Sequence, residues 1–424
     1  MAKLFASETA HAVALGAMRV HGETGTLARL DVERHYRDTP LMIIGEGTNE
    51  IQRTLIARQL VERHGERLGA LTSREGEPDE RRQMVLAVRQ FVDKSLLPVV
   101  ADHDAAGRYP EDIVRELAAL GVLGAPVDPA LGGLGLDGAT LAMLLEELAR
   151  GWTTVGAAVA GHLTCAWALD RFAPAVERER RLPGLTRGEQ LGATVLGGEV
   201  HARHPGAWAL NGRTTLVDNA TRADLFLLRT VGDDGAPGLA LVERATPGVT
   251  VGTPETPLGG RGLDPAPLVL DNARPTLVLE GADAVVAVAT TSAAAIAVGL
   301  AQAAFEAALR YSQQRTTFGK PLCQHQAVQL KLADMATGIT AARLLTYRAA
   351  GYARPNVAAA AMARLHAAAV AQSVTLESMR IHGGYGYVSE FPVERYYRDA
   401  ARLAFVPLDD DTLRAMVAAR VARA

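Results

Sequence analysis

Apolar residues recur at three- and four-residue spacing along most of this chain, and that spacing predicts helices. The pattern runs over residues 1–63 and 84–190, and it returns from 286 to 424. Between 191 and 285 it gives way to short β-rich runs such as LFLLRTV and LALVE, separated by Gly, Pro, Asn and Asp. The fold class is therefore predicted to be α+β, mainly α, in the order helical, β, helical.

A polar stretch separates the first helical segment from the rest of the chain. HGERLGALTSREGEPDERRQ, residues 64–83, is charged and poor in large apolar residues, which is typical of a solvated linker. The predicted division is a helical segment 1–63, this linker, a helical domain 84–190, a β-domain 191–285 and a C-terminal helical domain 286–424.

Residues 1–63 repeat residues 362–424 without a gap, with roughly one position in three identical. Both copies contain YRD. The first copy then reads TPLMIIGEGTNEIQR and the second reads AARLAFVPLDDDTLR, so that Glu46 corresponds to Pro407. Before YRD, the second copy has HGGYGY where the first has HGETGT. Each copy therefore keeps a part of the motif that the other has lost.

Composition and charge narrow the classes of function. The net charge is −3 at pH 7, and the even charge balance argues against nucleic-acid or anionic-membrane partners. Cys165 and Cys323 form neither a disulfide framework nor a metal pattern. His201 and His204 lack further ligands at metal-binding spacing. We expect a cytoplasmic protein without a metal site that acts on small or acylated substrates.

Two long motifs in the last helical domain resemble signatures of the acyl-CoA dehydrogenase family of flavoproteins: RYSQQRTTFGKPLCQHQAVQLKLADM (310–335) and MRIHGGYGYVSEFPVERYYRDA (379–400). A third, MIIGEGTNEIQRTLIARQL (42–60), is similar to the segment that carries the catalytic base of that family. The resemblance covers most of the chain. It implies an N-terminal helical domain, a small β-barrel or sandwich and a C-terminal four-helix bundle, with an extra N-terminal segment derived from a fusion.

The resemblance implies FAD-dependent removal of hydrogen across the α and β carbons of an acyl thioester, with Glu46 as the α-proton base. A carboxylate enclosed by apolar surface is a stronger base, and the apolar residues 42–44 suit Glu46 to this role. Gly47 and Arg58 are implied to contact substrate. Thr48 is implied to contact the cofactor and also suits a helix N-cap. The alternatives are a solvated loop glutamate in a degenerate fusion remnant and an ordinary surface arginine.

The resemblance also implies the FAD contacts. Arg315, Phe318 and Gln326 match family positions that hold the pyrophosphate and adenine, often across a dimer interface. An arginine suits pyrophosphate because its planar fork donates two parallel hydrogen bonds. Gly383 and Gly384 match a close backbone approach to the cofactor. A solvated helix-end arginine and a plain helix-ending turn are the structural alternatives.

Several family features are missing. ATVLGGEVHARHPGAW replaces the usual Thr-Glu-Pro stretch, and Leu216, Val217 and Asp218 replace Trp-Ile-Thr. AVVAVATTSAAAIAVGLAQ lacks the usual Phe and Arg that contact CoA, and Arg380 replaces a glutamine. These departures leave open a carrier-protein-bound acyl substrate, a non-catalytic structural or regulatory partner of an active homologue, and a flavin-dependent oxidase or monooxygenase. The family resemblance implies a homodimer or homotetramer, with a partner subunit as a further option.

The two copies predict a shared site. We expect residues 362–404 to fill the bundle and residues 42–62 to supply the base and the last helix. The sequence DDDTLRAMVAARVARA, residues 409–424, is then expected to lie elsewhere, because three consecutive aspartates are unfavourable beside an anionic cofactor. The alternative is that residues 1–63 decorate the outside of the protein.

Overall fold

The computed structural model describes residues 1–64, 74, 76–203 and 208–422, which form two compact units. Unit 1 consists of Met1–Arg74, Ala304–Ala341 and Ser373–Val393, and unit 2 of Glu75–Ala303, Ala342–Gln372 and Glu394–Ala424. Half of the predicted linker, residues 65–73 and 75, and His204 lie outside the described residues. The first helix after the linker begins at Asp79, inside the stretch predicted to be linker.

Fourteen helices and ten strands are formed by the described residues. The helices are α1 (Ala2–His21), α2 (Asp31–Ile44), α3 (Asn49–His64), α4 (Asp79–Phe91), α5 (Val100–Ala106), α6 (Glu111–Ala119), α7 (Gly138–Gly151), α8 (Thr153–Phe172), α9 (Ala175–Thr186), α10 (Ala282–Gln314), α11 (Gln326–Ala350), α12 (Val357–His382), α13 (Val393–Arg402) and α14 (Asp410–Val421). The strands are β1 (Gly192–Val195), β2 (Gly198–Arg203), β3 (Ala209–Val217), β4 (Leu225–Gly232), β5 (Pro237–Glu243), β6 (Val249–Val251), β7 (Ala266–Ala273), β8 (Leu277–Leu279), β9 (Thr316–Thr317) and β10 (Lys320–Pro321). The α+β, mainly helical prediction is confirmed.

The two similar sequence segments have the same order of elements. In each, a long helix is followed by a short 3-10 turn and two further helices, α1 to α3 in the first and α12 to α14 in the second. The turns begin at Gly22 and Gly383, with φ of 61° and 60°. Only glycine adopts this left-handed conformation readily. The backbone is therefore alike at this turn, and the copies differ in the side chains they present.

Unit 2 contains a curled eight-stranded sheet in the order β6-β7-β3-β2-β4-β5-β8, with β1 paired in parallel to β4. The predicted run LFLLRTV forms most of β4, and LALVE ends β5. Alternate residues of β4 enter two different clusters: Leu225 and Leu227 join one with α8, α10 and α14, whereas Phe226 and Leu228 join the other within the sheet. Because successive strand side chains point to opposite faces, a strand buried on both faces reads as continuously apolar.

The C-terminal helix is part of the unit 2 core. Leu413 on α14 is fully buried in the cluster beneath the sheet. Asp409 caps the first turn of α14, and the Asp410 carboxylate pairs with the buried guanidinium of Arg364. Two of the three aspartates are thus used as a helix cap and an ion-pair partner, and the expectation that residues 409–424 lie elsewhere than beside the cofactor stays a prediction.

Among the described residues, two helical stretches are long and apolar enough to cross a membrane, Ala282–Gln314 and Val357–Gly386. In the first, which is α10, 78% of the most apolar stretch is buried inside the protein. Small residues such as Ala294 and Ala301 on α10 are completely buried. The apolar character of α10 is therefore explained by its burial in the protein core. The absence of a membrane partner stays a prediction.

Gly212 in β3 gives a first testable expectation for stability. Its φ is 135°, and a Cβ there would collide with the carbonyl oxygen of Glu199 on the paired strand. Gly212→Ala is expected to lower the free energy of unfolding by roughly 3 kcal/mol, because strain and a backbone clash combine. Gly235 is the matched control, since its φ is 77° and a Cβ there meets nothing within 4 Å. Gly235→Ala should cost about 1 kcal/mol, and equal losses in urea denaturation would contradict the clash.

His162 gives an expected pH dependence of stability. Its Nε2 lies 3.2 Å from the Leu123 carbonyl, and its Nδ1 accepts the Gly192 N–H at 3.1 Å. These partners require the neutral ring with the proton on Nε2. Burial lowers the pKa of His162 to about 4, whereas the unfolded value is about 6.5. As the pH falls, the unfolded state therefore takes up the proton first. The contribution of the neutral His162 ring to folding stability is complete above pH ~6.5 and is lost as the pH falls toward ~4.

Between pH ~6.5 and ~4 the free energy of unfolding falls by about 3 kcal/mol through His162, and by pH 5 the decrease is about 2 kcal/mol. His162→Gln removes the titrating group. Denaturation of both proteins at pH 7 and pH 5 measures the effect. Wild type should lose about 2 kcal/mol more than the variant between these pH values, and parallel losses would refute the assignment.

Candidate functional site

A cavity in unit 2 lies between α8, the start of the sheet and the segment that follows α13. It contains about 990 Å³ of empty space, including its mouth. Its lining includes the polar residues Thr153, Asp218, Asn219, Asp399 and Arg402, together with Pro407. Its walls join the helical layer of this unit to strands β1 and β3.

The carboxylate of Asp399 is completely buried in this cavity wall. Its oxygens accept hydrogen bonds from Thr153 Oγ1 at 2.5 Å and from the Gly260 N–H at 2.8 Å. Burial raises the pKa of Asp399. Both oxygens are engaged by donors that link α8 and the loop before β7. Asp399 is therefore held as a structural acceptor.

A second carboxylate, that of Asp218, pairs with the guanidinium of Arg402 across the cavity. Sequence reasoning registered Asp218 only as a departure from the family pattern and missed this partner. Pro407 lines the same cavity and has no proton-accepting side chain. Of the carboxylates described in the lining, each is already engaged, and the position that matches Glu46 is a proline.

Asn219 follows Asp218 and turns the chain with φ of 56°. Its Nδ2 donates to the Ala158 carbonyl at 3.3 Å. Its buried Oδ1 accepts no hydrogen bond from any residue in the described ranges. A buried acceptor without a partner is costly, and this one lies in the lining of the cavity. The cavity therefore offers an acceptor to a bound group that carries a donor.

A separate cavity in unit 1 is lined by Arg315, Gly383 and Gly384, together with the stacked rings of Tyr311 and His382. It contains about 830 Å³ of empty space, including its mouth. A Cβ placed on either glycine would meet nothing within 4 Å. The Arg315 side chain has no hydrogen-bond or ion-pair partner among the residues with described positions.

FAD, the cofactor implied by the resemblance, fits these observations. An open glycine cradle admits close approach of a phosphate to the backbone, and an unpaired guanidinium can donate two parallel hydrogen bonds to it. Phe318 is 98% exposed with φ of 49°, and Gln326 is exposed as the first residue of α11. The structure thus gathers Arg315 and both glycines in one cavity and leaves Phe318 and Gln326 at the surface of the adjoining segment.

The loop of residues 45–48, here called the Glu46 loop, joins α2 to α3 in unit 1. Glu46 is exposed, with φ of 54°, and Gly47 follows with φ of 81°. Gln52 Nε2 donates to the Glu46 carbonyl at 3.0 Å. Thr48 Oγ1 accepts the Ile51 N–H at 3.4 Å, so the predicted N-cap is confirmed. The loop is therefore ordered by local hydrogen bonds.

The expectation that apolar surface encloses Glu46 is wrong for the chain as described. The apolar residues of the preceding turn are themselves exposed, with Leu41 at 68%, Met42 at 57% and Ile44 at 63%. The sequence pattern marks these residues as apolar but does not specify what packs on them. The carboxylate and its apolar flank lie together on the surface.

Arg58 is exposed on α3 and has no side-chain partner among the described residues. Its neighbour Arg53 holds the helix in place instead. Arg53 pairs with Glu8 on α1 and with Asp334 on α11, each at 2.6 Å. Arg58 is thus free to meet an anionic group, whereas Arg53 has a structural role.

Sequence comparison identifies two domain profiles. The profile "Acyl-CoA dehydrogenase, C-terminal domain" matches residues 1–61 and 282–422, and "Acyl-CoA dehydrogenase, N-terminal domain" matches 78–189. The human mitochondrial short-chain specific acyl-CoA dehydrogenase is 31% identical over 352 residues, covering 76% of this chain and 85% of that protein. An acyl-CoA dehydrogenase of Bacillus subtilis (strain 168) is 32% identical over 350 residues, covering 76% and 92%.

Structure comparison gives the same result. The butyryl-CoA dehydrogenase of Megasphaera elsdenii superposes with a TM-score of 0.77 at 29% sequence identity, covering 82% of this chain and 99% of that one.

Proposed function

This chain belongs to the acyl-CoA dehydrogenase family, whose members are FAD-dependent oxidoreductases acting on the CH–CH group of acyl-CoA, and we propose that Glu46 is its catalytic base. The single observation that carries this proposal is the contrast between the two similar segments. Both adopt the same order of helices, but at the matching position in the loop before the third helix only the first has a carboxylate, that of Glu46. The second has Pro407 in the wall of the unit 2 cavity.

The proposed reaction begins with proton transfer from the substrate α-carbon to a Glu46 carboxylate oxygen. FAD, when bound, would accept the β-hydrogen with its electron pair. The backbone amide of Gly47 directly follows Glu46 in the chain, and such a donor can polarise the thioester carbonyl as charge develops. Arg58 is the proposed substrate contact, and Thr48 adjoins the base as a cofactor contact.

The cofactor contacts proposed for this chain are Arg315, Phe318, Gln326, Gly383 and Gly384. Support comes from the open glycine cradle in the unit 1 cavity and from the Arg315 guanidinium, which has no partner among the described residues. The extreme exposure of Phe318 favours a ring that stacks on a bound group or on a neighbouring subunit. A homodimer or homotetramer is therefore part of the proposal.

Two further features are proposed. Residues 1–63 are an internal duplication of the C-terminal segment, supported by the matching element order. The protein acts in the cytoplasm, supported by two free buried cysteines, Cys165 and Cys323, which suit a reducing compartment. For the acyl group we propose a short chain on CoA, because the human relative is short-chain specific and the Megasphaera elsdenii structure is a butyryl-CoA dehydrogenase.

The test is the visible absorption spectrum of the purified full-length protein, with bound flavin quantified after denaturation. A flavin-containing protein that converts butyryl-CoA with an artificial electron acceptor supports the proposal. Rapid oxygen consumption during turnover would indicate an oxidase instead. Activity confined to acyl groups on carrier protein would correct the substrate. A colourless protein that refuses added FAD would favour a non-catalytic partner subunit.

A further inference from the structure

The ammonium group of Lys3 on α1 contacts the backbone on both sides of Glu46. Lys3 Nζ donates to the carbonyl of Ile43 at 3.1 Å and to the carbonyl of Gly47 at 3.0 Å. Its third hydrogen bond goes to Asn49 Oδ1, at 2.7 Å. An ammonium has three donors, so all three are used on the segment that contains Glu46.

Asn49 extends this contact into a buried network. Asn49 is 1% exposed and Ser7 is 4% exposed. Asn49 Nδ2 donates to Ser7 Oγ at 3.1 Å, and Ser7 lies one helical turn from Lys3 on α1. The first residue of α3 is therefore fixed to α1. The Glu46 loop lies between two points that are both held by Lys3.

The second copy repeats this arrangement with an arginine. Arg364 corresponds to Lys3 in the repeat, and its guanidinium contacts the Leu408 carbonyl, the Val406 carbonyl and the Asp410 carboxylate. Leu408 and Asp410 are the positions that match Gly47 and Asn49. A cation on the first helix thus donates hydrogen bonds to the matching loop in both copies, although one loop contains Glu46 and the other contains Pro407. The contact therefore does not depend on the residue at the Glu46 position, and either a guanidinium or an ammonium can donate the hydrogen bonds to the loop.

We propose that Lys3 is the positioning residue for the catalytic base, an inference that rests on the proposed role of Glu46. Glu46 has a positive φ, a conformation that is unfavourable for a non-glycine residue and persists only when its surroundings impose it. The bonds from Lys3 to the flanking carbonyls impose it. Loss of these bonds lets the loop relax and moves the carboxylate away from the position for proton abstraction.

The test compares Lys3→Met with Lys3→Arg in the full-length, FAD-loaded protein, using butyryl-CoA. Lys3→Met is expected to lower kcat by about tenfold to a hundredfold, since a displacement of about 1 Å can have that effect. KM and flavin content should stay unchanged. Hydrogen–deuterium exchange of the peptide covering residues 42–50 should become faster. Lys3→Arg, which copies Arg364, should restore wild-type exchange and kcat.

Unchanged exchange or unchanged kcat in Lys3→Met would overturn the proposal, as would loss of activity in Lys3→Arg with the loop still protected. If Lys3→Met fails to fold, Lys3→Gln takes its place. If both neutral variants fail to fold while Lys3→Arg folds, the contact is structural and the positioning role is refuted. Glu46→Gln measured in parallel keeps the two claims apart: an active Glu46→Gln refutes the base, whereas an inactive Glu46→Gln beside a fully active Lys3→Met refutes only the positioning role.

Discussion

Glu46→Gln is expected to lower the rate of flavin reduction by acyl-CoA by about 10²–10⁴-fold, the usual contribution of a general base. Glutamine keeps the size of the side chain and its position in the loop but cannot accept the α-proton. The carbonyls held by Lys3 and the cap formed by Thr48 are unaffected. Flavin content and thermal stability should therefore match wild type, so the loss should fall on kcat rather than on folding.

Glu50→Gln is the matched control for this experiment. Glu50 is an exposed carboxylate in the first turn of α3, four positions after Glu46. Its replacement removes one negative charge from the same surface without touching the proposed base. If Glu50→Gln turns over at a near-wild-type rate while Glu46→Gln is strongly impaired, abstraction of the α-proton is assigned to Glu46. Comparable activity in both variants would mean that neither carboxylate is the base.

The second large effect is expected for the buried arginine of unit 2. Arg364 is 1% exposed, and burial lowers the pKa of its guanidinium. Removing it leaves the Asp410 carboxylate without this ion pair and strips donors from the carbonyls of Val406 and Leu408. Arg364→Met should lower the free energy of unfolding by about 3 kcal/mol, the low end for breaking a buried pair, because Asp410 is partly exposed.

Arg414 provides the control for Arg364. Its side chain is 61% exposed and pairs with Asp410 and Asp411 on the same helix. Exposed pairs of this kind contribute about 0.5 kcal/mol or less, so Arg414→Met should be almost neutral in urea denaturation. If Arg364→Met were equally mild, the guanidinium would not be what holds the segment after α13 in place.

Local patterns were sufficient to predict much of the fold. The run in β4 begins with the four apolar residues LFLL and is followed by Gly and Asp, so a strand could be predicted there from the sequence. Thr48 was identified as an N-cap because its oxygen needs only the amide three residues ahead. These features depend on neighbours within a few positions, which a sequence displays directly.

Features that depend on distant partners were not predicted. The helical period of residues 409–424 is the same whether the helix packs on the unit 2 core or lies apart from it, so the burial of Leu413 could not be foreseen. The exposure of Met42 and Ile44 was missed for the same reason, because the sequence pattern does not show whether a distant element packs on them. The repeat did contain one unused signal, since a cation occupies the matching positions Lys3 and Arg364 in both copies. Comparing the copies residue by residue would have identified that contact.

Anaerobic mixing of the flavin-loaded protein with butyryl-CoA, followed by the loss of visible flavin absorption in a single turnover, tests the central claim most directly. Wild type should bleach rapidly and yield the α,β-unsaturated acyl-CoA, and Glu46→Gln should bleach about 10²–10⁴-fold more slowly. Equal bleaching rates in the two proteins would contradict the assignment of Glu46. A flavin that stays oxidised in wild type with butyryl-CoA and with other acyl thioesters would contradict the proposed dehydrogenation itself.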